Sequence, residues 1–319
     1  MMAMDQTLGI LFQLCQSLLV VMLAPLLMGW VGQCRAWLQN RSGPGLLQPY
    51  RSLRKLFHKD AVLAHNASPL FRATPYILFG CMWLAAAIIP IIAVDLPFSP
   101  AADVIALVGV FALARVFISL AAMDIGTAFG SLGARREMLV SFLAEPALLM
   151  VFFTSSLISH STQLPHIVDT FAHHEFVLYP SLAFAGLAFV IVLLAENARI
   201  PVDNPSTHLE LTMVHEAMIL EYSARHLALV EWASSLKLLA YISIGIALFL
   251  PHGIAEVGNW GALPLAIAAL LTKLALAGAG LALLETFLAK MRIFRVPEFL
   301  GTAFLLAVLG LLIHFLLGA

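Results

Sequence analysis

The sequence contains little charge. Only 11% of its 319 residues are Asp, Glu, Lys or Arg, whereas soluble domains carry about 25%. Hydrophobic residues make up 61% of the chain, and the mean hydropathy is +0.96. This balance excludes an ordinary soluble domain and predicts an integral membrane protein.

Cysteine is also scarce. The three cysteines, Cys15, Cys34 and Cys81, lie far apart, and no two of them form a Cys-x-x-Cys pair. This spacing argues against a disulfide framework and against a cysteine-ligated iron–sulfur cluster in this chain. Any redox centres that serve the protein are therefore expected in partner chains.

The motifs of soluble enzymes are missing as well. The sequence has no phosphate-binding GxxxxGK loop, no GxSxG nucleophile elbow and no GxGxxG segment. The stretch HEAMI begins like the zinc motif HExxH, but Ile219 stands where the second histidine would have to be. We therefore predict no catalytic residues, no metal site, no bound cofactor and no nucleic-acid partner for this chain.

Long apolar runs are what the sequence does contain. Eight of them have the length that a membrane-spanning helix needs, about 20 residues. Asp5 is the only charge before the first run and no basic residue precedes it, so a retained helix is expected rather than a secretory signal. We predict an all-α fold with one polytopic membrane domain over residues 1–319. The predicted spans lie near residues 8–33, 75–94, 101–123, 138–160, 178–197, 229–250, 262–286 and 298–317.

The basic residues predict an orientation. The odd-numbered connections between spans hold 14 Lys and Arg residues, and the even-numbered connections hold none. Together with the intramembrane cations Arg115, Lys237 and Lys273, these account for all 17 Lys and Arg residues. Because basic connections stay in the cytoplasm, both termini are expected on the opposite side.

Several charges lie inside the predicted spans. Each costs about 2.5 to 3.5 kcal/mol at a helix centre, so each should face protein or water. Glu231 and Glu285 lie near span ends, where reaching the headgroups is as plausible as a functional role. Glu145, Lys237 and Lys273 lie deeper and are predicted to be functional. The full set is Arg115, Glu145, Glu231, Lys237, Lys273 and Glu285.

The segment 195–222 concentrates acids after the fifth span. Two prolines exclude a regular helix near its start, whereas residues 206–222 are predicted to form a helix with Ser206 as its N-cap. On such a helix Glu210 and Glu221 would share a face. Acids crowded together at low dielectric acquire raised pKa values, which suits a proton relay. The alternative is a solvated acidic loop.

These features fit two classes of protein. A stand-alone ion-coupled transporter carries buried charges but often shows broken helices in matched halves, which we do not find in this sequence. A subunit of a redox-driven proton pump needs a cytoplasmic surface where a soluble arm docks. The stretch RSGPGLLQPYRSLRKLFHKD at 41–60 has a Gly-Pro-Gly turn and interleaved basic and apolar residues, which suit such a surface. Binding to the membrane surface is the alternative.

Three motifs resemble a known family. They are RSGPGLLQPYRSLRKLF at 41–57, GSLGARREMLVSFLAEP at 130–146 and AENARIPVD at 195–203. In this order, on eight predicted helices, they resemble the membrane anchor subunit shared by respiratory complex I, where it is the NuoH-type subunit, and by group 4 membrane-bound nickel–iron hydrogenases.

The resemblance implies a function and a set of partners. The chain would join a peripheral redox arm, made of hydrogenase-like large and small subunits, to antiporter-like subunits in the inner membrane. It would couple electron transfer to proton translocation. Iron–sulfur clusters, and in the hydrogenase branch a nickel–iron site, would be carried by the partner subunits.

The resemblance, combined with the buried charges, also assigns roles to residues. The expected arm-docking residues are Arg41, Gly43, Pro44, Arg51, Arg54 and Lys55. The expected charge partners are Arg136 and Arg199. The expected proton path comprises Glu145, Glu196, Asp203, Glu210, Glu216, Glu221, Lys237 and Lys273.

Local departures favour one branch of the family. AENARIPVD differs from the ETNR-PFD usual in complex I, His208 stands where another acid is common, and the stretch from Glu210 to Tyr222 is longer than usual. These changes fall where a quinone cavity would form. The ending LLETFLAKMRIFRVPEFLG at 283–301 is similar to the hydrogenase branch. A hydrogenase-4 or formate-hydrogenlyase-like complex is therefore favoured over an NADH:quinone oxidoreductase.

Overall fold

A computed structural model describes residues 2–94, 97–173, 180–203, 213–254 and 263–317. Within these ranges the chain forms eleven α-helices and no named β-strand. The helices are α1 (Met2–Leu38), α2 (Gln48–Phe57), α3 (Pro69–Ile88), α4 (Val104–Asp124), α5 (Ala128–Ser159), α6 (Leu164–His173), α7 (Pro180–Glu196), α8 (His215–Ile219), α9 (Ala224–Phe249), α10 (Leu263–Phe287) and α11 (Val296–Leu317).

The described helices are those of a multi-pass membrane protein. Seven of them, α1, α3, α4, α5, α9, α10 and α11, are long and apolar enough to cross a membrane. The fifth predicted span, 178–197, corresponds to α7, an apolar helix of 17 residues. Residues 178 and 179, at the start of that predicted span, lie outside the described residues.

Two helix starts differ from the prediction because polar residues cap them earlier. Ser68 accepts hydrogen bonds from the backbone N–H groups of Leu70 and Phe71, so α3 begins at Pro69 rather than near residue 75. Thr127 accepts from Gly130 N–H, so α5 begins ten residues before the predicted start at 138. An oxygen acceptor at this position satisfies amide groups that the first helical turn leaves free. The earlier start of α5 places Glu137 inside a membrane helix.

The predicted helix over residues 206–222 is wrong in its described part. Met213 and Val214 are not helical, and α8 is only five residues long. Glu221 follows α8 and is exposed, so it lies on no helical face. The predicted N-cap Ser206, together with His208 and Glu210, falls outside the described residues.

Helix α2 was not predicted as a separate element of the first connection. Its residue Leu53 is buried, and Phe57 packs edge-on against Trp232 of α9 at a centroid distance of 6.2 Å. The basic residues Arg51, Arg54 and Lys55 are exposed on the same helix. The helix therefore lies against the bundle by its apolar side and presents its cations outward.

The long helices pack so that four of them surround one region of the core. Helix α4 packs between α3 and α5, α7 packs between α5 and α11, and α9 contacts α1, α3 and α7. Helix α9 is the most enclosed of the seven long helices. Polar residues on the inner sides of α4, α5, α7 and α9 are therefore brought together away from lipid.

Candidate proton-transfer site

Arg115, in the middle of α4, lies at the centre of a cluster of charges. Its side chain is only 5% exposed. The Nε atom is 3.3 Å from Oε1 of Glu137, and Nη1 is 3.5 Å from Oε1 of Glu145, both on α5. Its Nη2 atom forms an ion pair with Oε2 of Glu196, the last residue of α7. One guanidinium thus contacts three carboxylates from two helices.

Lys237 of α9 completes the cluster from the other side. Its Nζ is 3.1 Å from Oε2 of Glu196 and donates a hydrogen bond of 2.5 Å to the backbone carbonyl of the same residue. The Glu196 side chain is fully buried between Lys237 and Arg115. We call Arg115, Glu137, Glu145, Glu196 and Lys237 the buried charge cluster.

The buried charge cluster carries a formal charge of −1 when every member is ionised, since three carboxylates face two cations. Burial disfavours this excess negative charge, and binding of one proton removes it. Glu145 is the most accessible carboxylate of the cluster, with 31% of its side chain exposed, and it accepts a hydrogen bond of 2.5 Å from Ser141. The arrangement is suited to take up and release a proton.

A second group of charges joins α1, α10 and the turn after α7. The buried Glu285 carboxylate is 3.0 Å from Nη1 of Arg199 and 3.4 Å from Nη1 of Arg35. Arg199 also contacts the sulfur of Met28. Of the two roles left open for Glu285, the structure excludes reaching the headgroups, because its side chain is only 1% exposed.

Asp203 holds together the two described ends of the acidic segment. Its Oδ2 accepts hydrogen bonds from the backbone N–H groups of Val214 at 3.3 Å and His215 at 3.1 Å. Arg136 donates to the carbonyl of Met213 at 2.9 Å. These contacts replace the helical hydrogen bonds that the sequence pattern led us to expect and fix the start of α8.

Three adjoining cavities surround these residues. The inner cavity, of about 40 Å³, is lined by Arg115, Glu137, Glu196 and Lys237. The outer cavity, of about 530 Å³, lies between α1, α2 with the connection before it, α8 and α9. The side cavity, of about 280 Å³, is lined by Arg35, Arg199, Asp203 and Glu285. His215 and Ser234 line all three.

The geometry can be compared with known proteins. A family model described as NADH dehydrogenase matches residues 12–316. The chain belongs to this family. The resemblance found in the three sequence motifs is thereby confirmed.

Among relatives of this NADH dehydrogenase family member, two come from Escherichia coli (strain K12), and each is 32% identical to it. Formate hydrogenlyase subunit 4 matches over 296 residues, covering 93% of this chain and 95% of the relative. Hydrogenase-4 component C matches over 302 residues, covering 94% of each. A NuoH-type protein of NADH-quinone oxidoreductase, from Anaplasma phagocytophilum (strain HZ), is 26% identical over 236 residues, or 67% of this chain and 68% of the relative. The chain is thus more similar to the two hydrogenase-type proteins than to this NuoH-type protein.

A solved structure shares the fold. A chain in the structure of the membrane-bound sulfane sulfur reductase (MBS), an archaeal respiratory membrane complex, superposes with a TM-score of 0.82. The match covers 95% of this chain and 98% of that chain, at 19% identity. This likeness shows that the two chains share one helical fold.

The residues of the predicted proton path fall into separate places within this family fold. Glu145, Glu196 and Lys237 meet in the buried charge cluster, and Asp203 and Glu216 line the adjoining cavities. The exposed Glu221 lines none of the three cavities. Glu210 lies outside the described residues.

Lys273 lies apart from the buried charge cluster. Its Nζ donates to the backbone carbonyls of Leu250, at 2.6 Å, and His252, just beyond the end of α9. A cation beside free carbonyls at a helix C-terminus is a common stabilising arrangement. The structure therefore gives Lys273 a local structural contact instead of a place beside the other predicted path residues.

Two members of the buried charge cluster were absent from the predicted path. Arg115 had been noted as an intramembrane cation without a role, and Glu137 was missed because the fourth span was predicted to begin one residue later. Thr127, a residue type that caps helices, was the local signal that could have extended this span. Of the predicted charge partners, Arg199 pairs with Glu285, and Arg136 donates to the backbone carbonyl of Met213.

The expected docking turn is closely held against α1. Gly45 adopts a positive φ of 89°, which glycine reaches without strain, and its N–H donates a 3.1 Å hydrogen bond to Oε1 of Gln33. A Cβ at Gly43 would clash with the same glutamine side chain. Arg41 and Pro44 are exposed on this turn. The turn is thus ordered while its cation and proline face outward.

Tyr222 and Lys290 show the electrostatics outside the membrane helices. Tyr222 stacks on Phe71 at a centroid distance of 4.1 Å and donates to its carbonyl. Burial raises the pKa of Tyr222, so this phenol stays protonated at neutral pH. Tyr222 is therefore an anchor for the segment after α8.

Lys290 lies beyond the end of α10. Burial lowers the pKa of Lys290, whereas the Asp203 carboxylate acts to raise it.

The described residues contain no group of three or more His, Cys, Asp or Glu side chains that could hold a metal ion.

Proposed function

We propose that this chain is the membrane anchor subunit of a multi-subunit, redox-driven ion-translocating complex of the hydrogenase-4 or formate hydrogenlyase type. The observation that carries the proposal is the buried charge cluster, which adjoins a large cavity beside the expected docking turn. Two relatives at 32% identity over at least 93% of the chain are named as parts of such systems.

In this proposal the chain moves protons and the partners move electrons. Iron–sulfur clusters, and in the hydrogenase case a nickel–iron centre, belong to a peripheral arm docked on the basic turn and α2. A change of charge in the arm alters the affinity of the buried carboxylates for protons through the outer cavity. The resulting change in protonation is then passed to antiporter-like subunits in the cytoplasmic (inner) membrane.

A second candidate function is favoured by the outer cavity. Its volume of about 530 Å³ lies in the range of small-molecule sites, about 300–1,000 Å³. A NuoH-type subunit of an NADH:quinone oxidoreductase would bind a quinone there. Oxidation of NADH by short-chain ubiquinone, catalysed by the purified complex, would support this alternative. H₂ evolution without such a reaction would support the hydrogenase-type proposal.

The proposed topology has eight spans in one membrane domain, with α7 as the additional crossing and both termini outside the cytoplasm. We expect green fluorescent protein fused after Ala319 to remain dark, because it does not become fluorescent when exported unfolded. A fusion after Lys59, in the expected cytoplasmic connection, is the control and should fluoresce. Fluorescence of the Ala319 fusion equal to the control would rule out the eight-span arrangement.

The arm-docking role predicts a charge-dependent association. Mild detergent should extract the chain in a large complex that contains iron, and the R51E/R54E double variant should lose the iron-containing arm because its exposed cations are reversed. The R292E/R295E variant is the matched control, since these two arginines lie in another connection. Iron in the affinity-purified sample measures the arm. Extraction of an active, iron-free single chain or homodimer would instead indicate a stand-alone transporter.

A further inference from the structure

Three residues lie where the outer cavity meets the inner cavity beside the buried charge cluster. Among the described residues, those that line both cavities are His215, Val230 and Ser234. His215 and Ser234 also line the side cavity. Of these three residues, only the histidine has two ring nitrogens, one of which can accept a proton while the other donates one.

The position of His215 is fixed by buried contacts. Its backbone N–H donates to the Asp203 carboxylate, which is 2% exposed, and Arg136 holds the carbonyl of Met213 two residues earlier. His215 also begins α8, whose following residues Ala217 and Met218 are buried. The backbone of His215 is therefore held at the junction by the fold.

Titratable groups lie on both sides of this junction. Glu216 and Glu231 line the outer cavity, and Glu137 and Glu196 line the inner one. The inner cavity of about 40 Å³ can hold a few waters, since each needs about 10–15 Å³. The carbonyl oxygen of the Asn197 side chain, at the junction of the inner and side cavities, is buried without a hydrogen-bond partner. It offers an acceptor for such a water.

We infer that His215 is a proton-relay residue between the outer cavity and the buried charge cluster. One ring nitrogen takes a proton from the outer cavity, and the other releases a proton toward Glu196 and its neighbours. The ring then returns to its first tautomer, so no proton is gained or lost by the histidine over a cycle. Ser234 supplies a hydroxyl at the same junction of cavities. This inference rests on the proposed function, because it assumes that protons pass through the cluster.

The test uses inverted membrane vesicles that contain the whole complex. Dithionite-reduced methyl viologen supplies electrons, H₂ is measured by gas chromatography, and uptake of radiolabelled methylamine reports acidification of the vesicle interior. The variants are H215Q, which keeps an uncharged hydrogen-bonding side chain, and H215E, which keeps a titrating group. H226Q is the control, because His226 is a buried histidine on α9 that packs against Tyr76 and lines none of the three cavities. All values are normalised to assembled complex on native gels.

A relay role and a purely structural role of His215 predict opposite orders of methylamine uptake for H215Q and H215E. For a relay, H215Q loses methylamine uptake to the level seen with a protonophore, H215E recovers part of it, and H226Q matches the wild type. For a structural role, H215Q performs as well as or better than H215E. Wild-type uptake in assembled H215Q, or loss in both variants, would therefore overturn the relay.

A further comparison separates this inference from the proposed function. If wild-type vesicles take up no methylamine during H₂ evolution, the proton path through the cluster and the relay both fail. If the wild type takes up methylamine, E145Q does not, and H215Q does, only the relay fails.

Discussion

Replacing Arg115 by methionine should prevent the chain from accumulating in the membrane. The guanidinium contacts Glu137, Glu145 and Glu196, and its loss would leave three carboxylates with Lys237 as their only cation within the cluster. Breaking a buried pair in this way costs about 3–5 kcal/mol, a large share of the roughly 5–15 kcal/mol that stabilises a typical protein. Immunoblots of the tagged chain in washed membranes measure the effect.

Two further variants make the Arg115 prediction specific. R135M removes an exposed cation of the neighbouring helix and should leave the amount of chain unchanged. The double variant R115M/E196Q should accumulate to a higher level than R115M, because it also removes the carboxylate most closely paired with the lost guanidinium. Accumulation of R115M at the wild-type level would contradict the ion pairing described here.

Replacing Glu145 by glutamine should leave the complex assembled but abolish most of its turnover, unlike the Arg115 substitution, which should prevent accumulation. Arg115 keeps Glu137 and Glu196 as partners, Lys237 keeps Glu196, and a glutamine retains an acceptor for the Ser141 hydroxyl. The substitution replaces a carboxyl group, which can carry a proton or a negative charge, with an amide of similar shape that can do neither. We expect H₂ evolution per assembled complex to fall on the order of a hundredfold, the size of a typical general acid–base contribution.

The control for Glu145 is a carboxylate outside the cluster. Glu298, in the first turn of α11, lines none of the three cavities, so E298Q should evolve H₂ at the wild-type rate. Loss of assembled complex in E145Q would show that Glu145 is chiefly a structural partner of Arg115. Wild-type turnover in assembled E145Q would remove Glu145 from the proton path. The corresponding prediction for Glu210 stands on the sequence alone.

The helices were predictable because membrane spans have a strong compositional signal. Seven predicted spans coincide with long apolar helices, and only their ends were misplaced, where caps such as Thr127 and Ser68 decide the first turn. The importance of Glu145 and Lys237 was also predictable, because a charge inside a membrane span is costly unless it has a partner or water.

The pairing of those charges was not predictable from one sequence. Arg115, Glu145, Glu196 and Lys237 meet only because α4, α5, α7 and α9 pack around one region, and a sequence pattern does not record which helices are neighbours. The same reason explains Lys273, which has the same local signal but faces the end of α9.

The acidic segment shows how tertiary contacts override a local pattern. Residues 213–222 have helical spacing and no proline. The Asp203 carboxylate nevertheless accepts hydrogen bonds from the backbone N–H groups of Val214 and His215. Tyr222 stacks on the Phe71 ring and donates a hydrogen bond to its carbonyl. The Asp203 carboxylate lies outside the predicted helix and Phe71 lies in a distant part of the chain, so propensity alone gave the wrong structure here.

Methylamine uptake during H₂ evolution is the most direct test of the claim that this chain couples redox turnover to protons through the buried charge cluster. In inverted vesicles with equal amounts of assembled complex, the wild type should take up methylamine, and a protonophore should abolish the uptake. The E145Q complex should show no uptake above that background at any rate of H₂ evolution. Uptake per H₂ in E145Q equal to that of the wild type would contradict the account.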